Sequence, residues 1–125
     1  MNSPFLNAPA VLMHEMSIAQ SIFDIVVGEI QKYDVTRVLA VNLKVGKMSA
    51  VVPSSLTFCW TVLTEGGPLE GSLLNIEEVP VQALCEECGQ EFQVEEYRFV
   101  CPHCGSEKVK MISGRELAVQ DIEAE

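Results

Sequence analysis

Basic residues are scarce in this chain. Eight Lys and Arg face 18 Asp and Glu, a formal net charge of −10. Nucleic-acid affinity comes largely from Lys and Arg that neutralise phosphates, so this balance argues against a phosphate-backbone binder. It favours a soluble protein that attracts cations or basic protein surfaces. No apolar run approaches the roughly 18 residues that a membrane span needs. Residues 1–12, MNSPFLNAPAVL, carry no basic n-region, so a secretory signal is not expected and a cytoplasmic location is. There is no Gly-rich phosphate loop of the G-x-x-x-x-G-K-[ST] kind, so the chain is not expected to hydrolyse GTP by itself. Histidine is nearly absent, with His14 and His103 the only two. A nucleophile–base–orienter set around Cys59 or Ser17 is therefore hard to assemble, and no enzyme activity is expected.

What is present is enough for a folded core. The 125 residues suit one domain, or one domain with a small insert, and 48% of them are hydrophobic. Residues 1–12, with Pro4 and Pro9, read as a flexible extension. Ser17 and Gln20 have the spacing of a capping box. Behind them Ile18, Ile22, Ile25, Val26, Ile30 and Tyr33 recur at helical spacing, which predicts an amphipathic helix over 17–33. Residues 36–45 alternate, with Leu39, Val41, Leu43 and Val45 on one face, which predicts a half-buried strand ending at Gly46. Pro53 suits a first helical position, and Leu56, Cys59, Trp60 and Leu63 form a second helical stripe that Gly66-Gly67-Pro68 stops. Residues 72–79 and 116–123 read as two more strands. The expected architecture is α+β, two helices on a small sheet, with a zinc ribbon or knuckle inserted. Its divisions are the extension at 1–12, an α+β domain of 13–80 and 113–125, and a cysteine-rich domain of 81–112.

The cysteines carry the most specific pattern. Cys85-Glu-Glu-Cys88 and Cys101-Pro-His-Cys104 are separated by twelve residues, and each is followed by a glycine, Gly89 and Gly105. Two residues between cysteines let both sulfurs of a tight turn converge on one ion, and the following glycine supplies the positive φ such a turn needs. In a chain with no export signal this spacing points to metal before disulfides. Four thiolates form a closed tetrahedral Zn(II) site with no open position, which makes it structural. An iron–sulfur site uses the same ligand type, and His103 is an alternative ligand for one cysteine. Phe92 and Val94, then Tyr97, Phe99 and Val100, are expected to form a hairpin that brings the two turns together. Cys59 lies on an apolar stripe and reads as a buried, inert thiol.

Zinc ribbons are common in nucleic-acid proteins and adaptors, so that function has to be weighed. Between 81 and 112, Glu86, Glu87, Glu91, Glu95, Glu96 and Glu107 oppose Arg98, Lys108 and Lys110. Six acids against three bases is a poor nucleic-acid surface. A zinc-ribbon adaptor or regulatory protein is one reading of the chain.

Met13-His14-Glu15 is the other chemical feature. By residue type alone it is a surface His near a helix start. Nickel chemistry gives it another use, because Ni(II) accepts square-planar nitrogen ligation and a short segment can supply an amine, backbone nitrogens and an imidazole. MHEMSIAQSI, the LKVGKMS segment, FCW, C-x-x-C-G, F-x-CP-x-CG and the closing G-R-E-L together resemble the HypA family of nickel-insertion proteins, in register over residues 13–123. The resemblance implies a metallochaperone for [NiFe]-hydrogenase, and in some organisms urease. It implies Ni(II) as cargo, bound by His14, Glu15 and backbone nitrogen near Met13, and structural Zn(II) on Cys85, Cys88, Cys101 and Cys104. It also implies two partners, the GTPase HypB and a hydrogenase large subunit. No nucleic acid or membrane is expected, and an oligomer is compatible with the sequence.

One departure stands out. In the family MHE opens the chain, whereas here twelve residues precede it, so Met13 has an amide in place of a free amine. Docking to a protein partner is expected near His14 and the outer face of 17–33, with Glu15, Asp24 and Glu29 steering a basic surface.

Overall fold

The computed structural model describes the backbone from Ala10 and the side chains from His14 to the C-terminus. The elements run α1 (Ala10–Ile30), β1 (Val38–Gly46), α2 (Pro53–Thr64), β2 (Leu73–Val79), β3 (Gln82–Cys85), β4 (Glu91–Gln93), β5 (Val109–Ser113) and β6 (Leu117–Ala124). They make two three-stranded sheets, of order β2-β1-β6 and β4-β3-β5. The α+β class is as expected, and the C-terminal strand does return to lie beside β1. Among the described residues, no helix is long and apolar enough to cross a membrane.

The chain divides into two compact units. One comprises the chain up to Leu43, Val51–Ile76 and Val119–Glu125; the other comprises Lys44–Ala50 and Glu77–Ala118. Of the extension expected at 1–12, residues 1–9 lie outside the described part. Residues 10–12 are already helical.

α1 corrects the expected helix of 17–33. It begins seven residues earlier, because Ala10, Leu12, Met13, Glu15 and Met16 are strong helix formers and nothing among them stops propagation. Ser17 is therefore an interior residue whose carbonyl accepts the Ser21 hydroxyl, and Gln20 bonds Asp24 instead of an orphan amide. The helix ends at Ile30, and Gln31–Asp34 form turns. Among its described side chains, the buried ones are Glu15, Ala19, Ile22 and Val26, a four–three–four spacing. Ile25 and Tyr33, expected on that stripe, are exposed.

β1 buries Val41, Leu43 and Val45 on one face as alternation requires. Ala40 is buried too, and Leu39 only partly, since β1 is the central strand and a small side chain on its other face is covered by neighbours. α2 starts at Pro53, whose missing N–H costs nothing at that position. It buries Leu56, Cys59, Trp60 and Thr64, while Leu63 is half-buried. Trp60 packs its ring 6.3 Å from that of Phe23 on α1. Its indole N–H donates to Ser72 at 3.0 Å, and the Ser72 hydroxyl passes on to the Leu69 carbonyl at 2.6 Å. A buried indole N–H left without a partner would cost about 1–3 kcal/mol.

The second unit has a small core of Val81, Ala83 and Val94, against which Met48, Phe92, Phe99, Val109 and Met111 pack. The hairpin expected between 92–94 and 97–100 is absent. β4 pairs with β3 instead, Ala83 opposite Phe92, and β5 pairs on the other edge, Cys85 opposite Val109. Glu96 and Tyr97 both adopt positive φ, 52° and 58°, which breaks any strand there. Tyr97 and Val100 are consequently exposed.

Candidate functional site

β3 ends on Cys85 and delivers it to the first turn. Gly89 N–H donates to the Cys85 carbonyl at 2.9 Å, and Cys85 N–H to Gln90 at 2.9 Å. The second turn repeats this arrangement, with Gly105 N–H on the Cys101 carbonyl at 2.8 Å and Cys101 N–H on Ser106 at 2.9 Å. Gly89 and Gly105 sit at φ 77° and 75°, the left-handed conformation that closes each turn. The two turns therefore present two equivalent pairs of sulfurs.

The four sulfurs converge. Cys85 Sγ lies 3.6 Å from Cys104 Sγ, and Cys88 Sγ lies 3.6 Å from Cys101 Sγ. All four lie within 4.8 Å of one another. A disulfide needs about 2.05 Å, so these are not disulfides. Sulfurs placed tetrahedrally at 2.3 Å from zinc stand about 3.8 Å apart, so the spacing and the donor set fit a zinc-sized ion. Cys85 and Cys101 are buried, and Cys88 and Cys104 face outward. His103 is exposed and lies outside the convergent group.

Their acidities diverge because they share one space. The backbone N–H of Cys88 holds the Cys85 thiol down, to about 7, against its burial. The Ser106 amide acts downward on Cys104, but the Cys85 sulfur, burial and the other sulfurs outweigh it and push that thiol up to about 12. Burial opposes ionisation of Cys101, yet the amides of Cys104 and His103 leave it lowered. Cys88 ends raised despite the Gln90 amide, through partial desolvation and the Cys101 and Cys85 sulfurs. A divalent cation at the centre removes that conflict, because every thiolate then faces positive charge.

The second cluster lies on α1. His14 is exposed, at 55% of its side-chain surface, and its Nδ1 stands 3.0 Å from Glu15 Oε1. Glu15 is wholly buried. Its Oε1 also accepts the N–H of Val52, the residue that caps α2 without a side-chain bond, at 3.3 Å. Its Oε2 is buried and has no hydrogen-bond partner among the described residues. Glu15 thus cannot steer a partner by surface charge, and that expectation is corrected; exposed Asp24 and half-buried Glu29 remain available for it. The backbone of Met13 belongs to α1. Cys59 is buried, and burial, assisted by the Glu15 charge, pushes its thiol up, the opposite of a reactive nucleophile.

Two features were absent from the sequence reading. β3 and β5, which flank the cysteine turns, were signalled by the alternation of Val81, Ala83 and Cys85 and by that of Val109 and Met111. Burial of Glu15 was signalled by its place four residues before Ala19 on the inward stripe.

Residues 13–124 match the family model described as "HypA: Hydrogenase/urease nickel incorporation, metallochaperone, hypA". The hydrogenase maturation factor HypA of Desulfosudis oleivorans is 46% identical over 112 residues, covering 89% of this chain and 97% of that protein. That of Geobacter metallireducens is 43% identical over 113 residues, covering 90% and 100%. Two solution structures share the fold. One is of HypA protein (TM-score 0.68, 23% identity, 90% of this chain and 96% of the other). The second is of the Ni metallochaperone HypA from Helicobacter pylori (TM-score 0.62, 21% identity, 88% and 96%).

Proposed function

The chain belongs to the HypA family of hydrogenase/urease nickel-incorporation metallochaperones, and on that premise we propose that it is a nickel carrier and not an enzyme. It takes up Ni(II) at Met13-His14-Glu15 and delivers it during maturation of a [NiFe]-hydrogenase or urease. Delivery runs through a hydrogenase large subunit with the GTPase HypB as partner, in the cytoplasm. Zn(II) on Cys85, Cys88, Cys101 and Cys104 has a structural part, fixing the two turns that the small core of the second unit cannot hold alone.

The observation that carries this reading is the His14–Glu15 pair. An exposed imidazole backed by a wholly buried carboxylate is an accessible donor on a rigid mount. Cargo has to enter and leave, which suits the exposed His14, whereas four thiolates leave a tetrahedral ion no open position. Nickel titration of the full chain tests it. His14→Ala should abolish tight nickel binding and leave one zinc per chain in place. Wild-type nickel affinity in His14→Ala would overturn the site.

A further inference from the structure

We propose that the free edge of β6, with the apolar groove between it and the second half of α1, is a docking site for a protein partner that adds there as a strand of alternating apolar and basic residues. The inference stands apart from the nickel reading. β6 ends the β2-β1-β6 order, so only its β1 side is paired among the described residues. It is held along β1 at both ends, where Gly46 N–H donates to Glu116 and Glu125 exchanges hydrogen bonds with Arg37. Its sequence, LAVQDIEA, has neither the Lys nor the Pro that commonly blunts an edge. Beside it lies a groove of about 500 Å³, which Val119, Gln120, Asp121 and Ile122 line in succession. Successive side chains of a strand point to opposite faces, so a groove that meets four in a row runs along the edge and not over one face. Ile25 and Tyr33 form the opposite wall, and they are left 54% and 67% exposed for an added strand to cover.

Charge selects the occupant. α1 and β6 contain no Lys or Arg, and they carry Asp24, Glu29, Asp121 and Glu123. Glu29 is paired with Lys32 at 3.3 Å. Asp121 and Glu123 both accept from the Asn42 side chain, whose oxygen accepts from Asn75. These bonds are all exposed, so they mark the open face of the sheet, opposite the one that α1 covers. A strand added to β6 meets carboxylates on the open face and the apolar side chains of the groove on the other. Lys or Arg at alternate positions suits the first face, and apolar residues suit the second. A second copy of this chain pairing through β6 would set acid against acid, which disfavours it.

The probe is a capped peptide of alternating Lys and Val, as long as β6, added to the full chain. Binding should protect β6 amides from hydrogen exchange and shift the signals of Ile25 and Tyr33. In a strand all the Val amides point to one edge and all the Lys amides to the other. Methylating one set of peptide nitrogens should therefore abolish binding, and methylating the other should spare it. Ile25→Ser strips apolar surface from the groove and should weaken binding about tenfold. Asp121→Asn with Glu123→Gln should weaken it about three- to tenfold. Nickel binding should be unchanged in both variants, since Ile25 stands eleven residues along α1 from His14. Equal loss from either methylation, or equal binding of a peptide with its Lys and Val residues in two blocks, means charge attraction alone and overturns the proposal. A peptide bound as a helix also overturns it, as does a dimer of the full chain that protects β6 without peptide. So does the absence of binding at roughly millimolar peptide. The methylated peptides leave the protein unaltered, so the decision does not depend on a variant folding.

Discussion

Gly46 and Gly114 meet backbone to backbone. A Cβ built on Gly46 would fall inside the van der Waals shell of the Gly114 carbonyl and of the Arg115 nitrogen. The contact is fixed from both sides, since Gly46 N–H donates to Glu116 at 2.7 Å and Met48 N–H to Gly114 at 2.7 Å. Gly114 itself sits at φ 122° against Val81.

Gly46→Ala should therefore destabilise the protein by about 3 kcal/mol or more, because backbone cannot yield as a flexible side chain would. Gly28, whose Cβ would meet nothing within 4 Å, is the control: Gly28→Ala should stabilise by about 0.5–1 kcal/mol. Thermal unfolding of the two variants checks the contrast.

The cysteine quartet should hold one zinc per chain. Cys101→Ala removes a buried sulfur and should release zinc and unfold the cysteine-rich part, with loss of the β4-β3-β5 amide signals. Binding energy of a structural zinc is largely folding energy, on the order of 10 kcal/mol. The α1 signals should persist. Metal analysis and amide spectra of the variant report both outcomes, and a wild-type protein isolated without metal would count against the site.

Zinc uptake should also release protons. Near pH 7 the raised thiols of Cys104 and Cys88 keep their protons without metal, while Cys85, held at about 7, is partly ionised. Binding as four thiolates must expel at least about two protons. Affinity should therefore fall as pH drops, steepening below about 7 where Cys85 also has to be deprotonated. Calorimetry of zinc binding in buffers of different ionisation enthalpy measures the number; a pH-independent affinity contradicts it.

The chain before Met13 should weaken nickel binding. α1 begins at Ala10, so the amides of His14 and Glu15 point at the carbonyls of Ala10 and Val11 as helix geometry requires. A protein that begins at Met13 lacks those carbonyls and has a terminal amine that coordinates after losing a proton near pH 8. It should bind nickel more tightly, and in square-planar geometry more often, than the full chain, whose site falls back on His14 with oxygen ligands. Nickel titrations and X-ray absorption spectra of the two proteins at one pH make the comparison. Identical affinity and geometry would show that the amine takes no part.

The sequence alone determined whatever depends on local period and local chemistry. Alternation at Val41, Leu43 and Val45 specified β1, Pro53 and the Leu56–Cys59–Trp60 stripe specified α2, and C-x-x-C-G twice over specified the two turns. Each of those signals lies within a few residues, where backbone geometry dictates the pattern. Tertiary structure decided what depends on partners distant in the chain. The expected hairpin at 92–100 gave way to β4 on β3, because Ala83 offers Phe92 a buried neighbour that the turn at Glu96 and Tyr97 denies it. Likewise the place of Glu15 on the helical stripe tells only which way it points from α1. The packing of α1 against α2, with the Val52 amide 37 residues away, completes its burial and leaves His14 outside.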